Sequence, residues 1–333
     1  MPADTPATVL VLGANSPSGA SFCAHALERG LEVIATSRSP QPRPVFLPYL
    51  WKGHKGLSFH RIDLNKDMDA LKSLFARHRP RHVVNFASQS MVGQSWENPT
   101  HWMQTNVVAL VALLELLRNL DFLDRYVHFS TPEVYGSTPD WIAENRRYAP
   151  STPYASSRAA GDMNVALWTE TYGLPAIITR AANVYGEGQQ LYRIIPRAFL
   201  CCHAGTKLPL HGGGRSERPF VHFDDVSRAV MRICEEGRAG EDYHISPRRS
   251  MSIRDLVGRI CDIAGARFDE VVQVTEDRLG KDQAYLLDSA KIRRELGWEP
   301  RIGLDEGLHR CDRWCRDNLE ELRRLPQDYR HMP

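Results

Sequence analysis

Short β-branched runs alternate with longer helical stretches through the first half of the chain, and this alternation restricts the fold more than any other feature. The runs are Thr8 to Leu12, Glu32 to Thr36, Ser58 to Ile62, His82 to Phe86, Tyr126 to Ser130 and Ala176 to Thr179. Helical patterns near Ser18 to Arg29, Met68 to Arg77, Pro99 to Leu120 and Tyr154 to Tyr172 lie between them. Strands alternating with helices are the mark of βαβ units and a parallel sheet. The predicted fold class is therefore α/β, a doubly wound parallel sheet of six strands.

After Asn183 the pattern becomes irregular. Helices are expected near Ile194 to Cys202, Asp225 to Glu235 and Ser252 to Ala264, with a strand-like Phe220 to Phe223. At roughly 150 residues per domain, 333 residues leave room for a smaller C-terminal domain that exchanges segments with the sheet. The stretch from Ser39 to Gly56 carries Pro40, Pro42, Pro44 and Pro48 and reads as a loop folding over whatever binds after the second strand.

Composition removes several function classes. With 42% hydrophobic and 25% charged residues, disordered and disulfide-scaffold classes are excluded. A formal charge of +2 is too small to argue for nucleic acid or an anionic membrane, so an anionic ligand must be held by local arginines. The apolar run Val107 to Leu117 is broken by Glu115 and falls short of the about 20 residues a bilayer span needs. Met1 to Thr8 has neither a basic region nor a small-residue cleavage site, and a cytoplasmic protein is expected. Seven cysteines form no framework spacing; Cys311 and Cys315, with His309 nearby, read as structural thiols, and no metal is expected.

Gly13-Ala14-Asn15-Ser16-Pro17-Ser18-Gly19 follows the first strand and opens the first helix. In that context a glycine-rich turn lets a pyrophosphate reach a helix N-terminus, as in a Rossmann fold. Ser16 stands at the middle glycine of the pattern, where its side chain crowds the approach unless its hydroxyl faces a phosphate. An acidic residue at the end of the second strand would take the ribose diol of NAD. Thr36-Ser37-Arg38-Ser39 stands there instead. Arginine makes charge-assisted bidentate contacts to phosphate, so Ser37 and Arg38 point to NADP, with NAD as the runner-up. Asp63 and Leu64, after the third strand, are placed to meet the adenine.

Tyr154 and Arg158 are spaced i, i+4 and point from one helix face. Thr131 and Glu133 follow the fifth strand, at the carboxyl edge where open α/β sheets hold ligands. At these residues the chain resembles the extended short-chain dehydrogenases/reductases of the nucleotide-sugar 4,6-dehydratase group. Ser130-Thr131-Pro132-Glu133-Val134-Tyr135-Gly136 is similar to the Ser-Thr-Asp-Glu-Val-Tyr-Gly of dTDP-glucose 4,6-dehydratases and the Thr-Ser-Glu of GDP-mannose 4,6-dehydratases. Thr152-Pro153-Tyr154 resembles the family's Ser-Pro-Tyr, and Ala87-Ser88-Gln89-Ser90-Met91-Val92 resembles the Ala-Ala-Gln-Ser-His-Val of the GDP-mannose enzymes. Asp277-Arg278-Leu279-Gly280-Lys281-Asp282 and the stretch Lys291 to Trp298 look like segments of the dTDP-glucose enzymes.

The resemblance implies a nucleotide-sugar substrate and a mechanism. Tyr154 would take the 4-hydroxyl proton while hydride leaves C4, assisted by Thr131 and by Arg158, which stands where the family has lysine. Glu133 would then remove the C5 proton before water leaves C6. Pro132 replaces the aspartate that protonates the leaving hydroxyl in dTDP-glucose enzymes; the GDP-mannose enzymes also lack it, so Glu133 could return the proton itself. Ala87, Ser88, Gln89 and Asn106 are expected at the cofactor. Ser90, Asn183, Arg193, Pro209, His211, Arg218 and Arg278 are expected at the substrate. Residues 1–183 with about 221–249 would form the dinucleotide-binding domain, and 184–220 with 250–330 the nucleotide-sugar-binding domain. A homodimer is expected. The alternatives are a nucleotide-sugar epimerase or decarboxylase on the same scaffold, and a catalytically silent NADP-binding protein, suggested by Ser16, Pro132 and Arg158 together.

Overall fold

The structure, a computed structural model, describes residues 7–276 and 284–333. Arg278 and the motif around it lie outside the described residues. Strands β1 (Thr8–Leu12), β2 (Glu32–Ser37), β3 (Leu57–Arg61), β4 (His82–Asn85), β5 (Arg125–Ser130) and β6 (Ala176–Ala181) follow the six predicted runs closely. Three short strands come next, β7 (Asn183–Tyr185), β8 (Leu208–His211) and β9 (Glu217–Arg218), followed by β10 (Phe220–His222), β11 (Asp242–Ile245), β12 (Met251–Ser252) and β13 (Val272–Thr275).

The main sheet has seven strands in the order β11-β6-β5-β4-β1-β2-β3, all parallel. Its seventh strand was not anticipated: Asp-Tyr-His-Ile is short and half polar, and it pairs with β6 only because the chain returns from the second half. The strand order reverses at β1, between β4 and β2, which makes the carboxyl ends of these strands the crevice of a doubly wound fold.

Both faces of the sheet are covered, which is why its strands read as continuous apolar runs. One face packs under the Pro17–Glu28 and Phe223–Glu236 helices through Phe22, Cys23, Ala229 and Ile233. The other packs under helices Met68–His78, Ala109–Leu117 and Pro153–Tyr172 through Leu71, Phe75, Leu113, Leu114 and Val165. A separate apolar cluster gathers Ile195, Phe199, Leu256, Ile260, Leu308 and Trp314 from helices Ile194–Ala204, Ile253–Ala264 and Leu304–Asp317. Cys311 and Cys315 are buried in that cluster, as their i, i+4 spacing on an amphipathic helix requires.

One expectation needs correction and one gains a detail. The 39–56 stretch is not all loop: Pro44–Phe46 and Pro48–Trp51 are short helical turns, fixed by burial of Val45, Leu47 and Tyr49 in the two cores. The helix predicted over Pro99 to Leu120 runs from Pro99 to Leu117 with a π-turn inserted at Gln104–Val108. Such insertions are frequent at functional sites, and this one turns Asn106 inward against Ser157.

Among the described residues no helix is long and apolar enough to cross a membrane.

Candidate functional site

The crevice begins where β1 ends. Gly13 has φ 81°, a left-handed conformation that favours glycine, and a Cβ there would fall 2.6 Å from the Ala87 nitrogen. A Cβ on Gly19 would fall 2.4 Å from the Gly13 carbonyl oxygen. The turn therefore keeps a bare backbone cradle at the start of the Pro17–Glu28 helix, whose first turn carries no acidic residue to repel an anion. Ser16 does not aim its hydroxyl outward: it donates to the Gly13 carbonyl at 2.7 Å and accepts from Gly19 N at 3.1 Å, so the serine caps the helix.

Gly13, Ser16, Ser37, Arg38, Asp63 and Leu64 line one cavity with Ala87, Ser88 and Gln89. Strand ends β1, β2, β3 and β4 thus bring nine of the expected cofactor residues to one wall. A dinucleotide fits this crevice on the chemistry of its donors, with backbone amides and a helix N-terminus for the pyrophosphate and Arg38 beyond them.

Asn15 and Asn106 sit behind that wall. The Asn15 amide donates to the Ser39 and Pro40 carbonyls at 3.0 and 2.9 Å, tying the glycine turn to the loop after β2. Asn106 accepts from Gln89 N at 2.9 Å and donates to the Gln89 carbonyl and to Ser157 Oγ, so it clamps the β4 loop to the Pro153–Tyr172 helix. Neither lines the cavity, and both act through the backbone they hold. Pro17 and Ser18 form the first helical turn outside the lining.

That second helix starts at Thr152, whose Oγ1 accepts from Ala155 N at 3.1 Å, with Pro153 at its first position. Tyr154, Arg158 and Asp162, one turn apart, all face inward and are buried. Burial pushes the Tyr154 phenol above its ordinary value and the Glu133 charge adds to this, whereas Arg158, a hydrogen bond with Thr131 and Arg193 pull it back. Glu133 is half-buried on the short turn Pro132–Tyr135 after β5, which Thr131 caps through Oγ1. Four of the expected residues thus share one electrostatic site.

Arg158 fills its place differently from an ammonium. Its Nη2 donates to the Phe129 carbonyl and lies 3.4 Å from His128 Nε2, while its Nε is buried without a hydrogen-bond partner among the described residues. The planar fork reaches down to β5 as well as toward Tyr154. His128 is held well below its ordinary pKa by burial first and then by Arg158 and Arg180, so it is neutral at pH 7. Beneath it Asp162 accepts from Ser130 Oγ at 2.8 Å and from Arg180 at 2.7 Å, and Arg180 also reaches Asp242 at 2.7 Å. This buried cluster supports the helix face that presents Tyr154.

On the substrate side, the Tyr285 hydroxyl donates to Asn183 Oδ1, and the Arg218 guanidinium lies 4.3 Å from the centre of the Tyr285 ring. The Tyr285 phenol is pushed up by burial, pulled down by Arg218, and pushed up again by Glu133 and Tyr154. Those couplings put Asn183, Arg218 and Tyr285 beside the Tyr154–Glu133 pair. Pro209 and His211 stand on β8, where His211 Nδ1 meets Thr275 Oγ1 at 2.9 Å. Ser90 is half-buried just past the β4 loop.

Tyr285, His128, Asp162 and Arg180 were not singled out from the sequence. Asp162 was within reach of it, because it continues the 154, 158 spacing by one more turn. Arg180 carried a signal too, as a charge ending an apolar strand run.

The family model for GDP-mannose 4,6 dehydratase matches residues 10–311. The dTDP-glucose 4,6-dehydratase 1 of Escherichia coli (strain K12) is 35% identical over 283 residues, covering 76% of this chain and 77% of that protein. The crystal structure of dTDP-glucose 4,6-dehydratase from Streptomyces venezuelae, with NAD bound, is 33% identical, superposes with a TM-score of 0.87, and covers 94% of this chain and 98% of its own. A UDP-glucose 4-epimerase from Thermotoga maritima is 25% identical with a TM-score of 0.85, over 94% of this chain and 99% of its own. With the glycine cradle at the switch point and the Tyr154–Glu133 pair at the end of β5, these likenesses establish that the chain belongs to the nucleotide-sugar 4,6-dehydratase family of the short-chain dehydrogenases/reductases.

Proposed function

We propose that the protein converts a nucleotide sugar to its 4-keto-6-deoxy form, with Tyr154 and Glu133 as the two proton-handling groups. The observation that carries this reading is their convergence at the carboxyl end of β5, where the half-buried Glu133 on the turn capped by Thr131 raises the pKa of the buried Tyr154 phenol that Thr131 hydrogen-bonds, beside Asn183, Arg218 and Tyr285. A bound oxidised nicotinamide supplies a hydride acceptor for C4, and after reduction a donor for C6. Tyr154 takes the O4 proton; Arg158, the Thr131 hydrogen bond and Arg193 favour the phenolate against the cost of burial. With C4 a ketone, Glu133 removes the acidified C5 proton and passes a proton to the departing C6 hydroxyl, since Pro132 has none to give; as hydride returns to C6, Glu133, reprotonated from solvent, gives C5 its proton. Asn183, held by Tyr285, and the guanidinium of Arg218 hold the diphosphate side of the substrate. Ser90, Arg193, Pro209 and His211 extend that surface.

Incubating the purified protein with a panel of nucleotide sugars should yield a 4-keto-6-deoxy product from one of them. An epimer as the only product would favour the epimerase reading, and no turnover of any sugar the silent one.

For the cofactor we favour NADP. Ser37 and Arg38 line the crevice where β2 ends, and no carboxylate stands at that strand end. The NAD bound to the Streptomyces venezuelae enzyme keeps NAD as the alternative. Losing one charge-assisted contact of about 1.5–3 kcal/mol, an Arg38→Ala variant should bind NADP roughly ten times more weakly or worse, with NAD affected less than about twofold. Calorimetric titration with both cofactors reads this, and an unchanged NADP affinity refutes it.

The working division is a dinucleotide-binding part of residues 1–183 with about 221–249, and a nucleotide-sugar-binding part of 184–220 with 250–330. We also propose a homodimer. Val108, Met163 and Leu167 are apolar yet each more than half exposed, on the adjoining helices that carry Asn106 and Tyr154. Light scattering should give the mass of two chains, falling to one in Leu167→Glu; a monomeric wild type would end this reading.

A further inference from the structure

Residues 327–333 run back to the mouth of the dinucleotide crevice and are held there at several points. Asp328 pairs with Arg197 at 3.4 Å, and the Tyr329 ring meets Tyr192 edge-on at 5.3 Å. His331 stacks on Trp102 with ring centres 4.8 Å apart and shares a 2.8 Å hydrogen bond with His101. Beyond it, the Met332 carbonyl accepts from Gln89 Nε2 at 2.8 Å and from Arg38 Nη2 at 3.0 Å, and a backbone oxygen of Pro333 accepts from Arg38 Nη1.

Arg38 follows β2 and Gln89 follows β4, and β1 lies between these strands in the sheet. One carbonyl, that of Met332, is thus bonded from both flanking strand ends. Both bonded side chains also line the crevice. Two terminal nitrogens of one guanidinium, the pair that would grip a phosphate bidentately, are taken by backbone oxygens of Met332 and Pro333 of this same chain.

We propose that residues 331–333 are a strap that occupies Arg38 and thereby sets how well the site tells a 2′-phosphate from a 2′-hydroxyl. The proposal rests on the reading of Arg38 as the 2′-phosphate contact. A phosphate dianion offers the Arg38 fork two parallel charge-assisted bonds, which one Met332 carbonyl oxygen and one Pro333 oxygen on separate groups do not match, so NADP displaces the strap. NAD brings no group able to compete for the guanidinium and leaves that grip in place. The strap's other holds suit a releasable contact: the Asp328 side chain is 84% exposed, and exposed ion pairs contribute little.

The test compares the full chain with a variant lacking residues 327–333, and with His331→Ala, which keeps the length but loses the stack on Trp102. Calorimetric titrations with NADP and with NAD give four affinities for each comparison. If the strap covers Arg38 in about four molecules of five, NADP should tighten roughly fivefold in both variants, and NAD less than about twofold. Amide exchange across 329–333 in the full chain should speed up on adding NADP and hardly change with NAD. An unchanged or smaller NADP preference in both variants overturns the strap, as does NADP binding that weakens, which would make the segment a lid. Tighter binding of NAD than of NADP in every chain, with the preference still shifting toward NADP on deletion, would instead sink the NADP reading and leave the strap standing.

Discussion

Tyr154→Phe should lower turnover by about a thousandfold, within the range that a positioned proton-transfer group contributes, while the protein stays folded and still binds its cofactor. The ring remains to fill the buried site and only the hydroxyl is lost, so packing gives no reason for unfolding. Product formation from the accepted nucleotide sugar measures the loss, and calorimetry checks the cofactor. A variant turning over at the wild-type rate would remove Tyr154 from the reaction. The same phenol fixes a pH dependence. Burial and then Glu133 raise its pKa, so the phenolate fraction, and with it kcat/KM, climbs with pH through neutrality. Arg158 is the first of the groups that pull the value down. Arg158→Ala should therefore move the rising limb to higher pH, and Arg158→Lys, which keeps the charge, should restore most of the shift.

What could be read from the sequence followed from local pattern. Apolar runs located the central strands, because strands buried on both faces have little polar alternation to confuse them, whereas the edge strand β3, Leu-Ser-Phe-His-Arg, showed itself by alternation. Gly13 and Gly19 announced the cradle, since a side chain at either position meets backbone. Tyr154 and Arg158 could be paired because a helix turns every 3.6 residues. What was missed depends on chain segments far apart. Tyr285 reaches Asn183 across 102 residues, and Arg38 meets Met332 across 294. No spacing rule connects such positions. Strand β11 was missed because its four residues earn their place only by pairing with β6. Asn15 and Asn106 fell in the right motifs yet hold backbone, because the NH2 group of each finds peptide carbonyls of a neighbouring loop, Ser39 and Pro40 for one and Gln89 for the other.

Glu133→Gln should separate the two proton steps, and it has the larger diagnostic value. If Glu133 moves the C5 proton, the amide variant still oxidises C4 but stalls before water is lost, because the amide cannot accept that proton. Nicotinamide absorbance should build in one turnover and persist, with the 4-keto-6-deoxy product falling by about a thousandfold. Neighbouring groups offer no substitute. Pro132 has no ionisable atom, and burial keeps the Tyr285 phenol protonated and donating to Asn183. The loss cannot be blamed on Tyr154 either, since the Glu133 charge raises the Tyr154 pKa and its removal favours the phenolate. The pH limb for the first step should accordingly move to lower pH in Glu133→Gln, opposite to its movement in Arg158→Ala. In the wild type, solvent deuterium should enter C5 of the product. Product free of deuterium there, or a Glu133→Gln enzyme that keeps releasing it, would take Glu133 out of the elimination and return the site to the simpler chemistry of C4 oxidation and return that an epimerase performs.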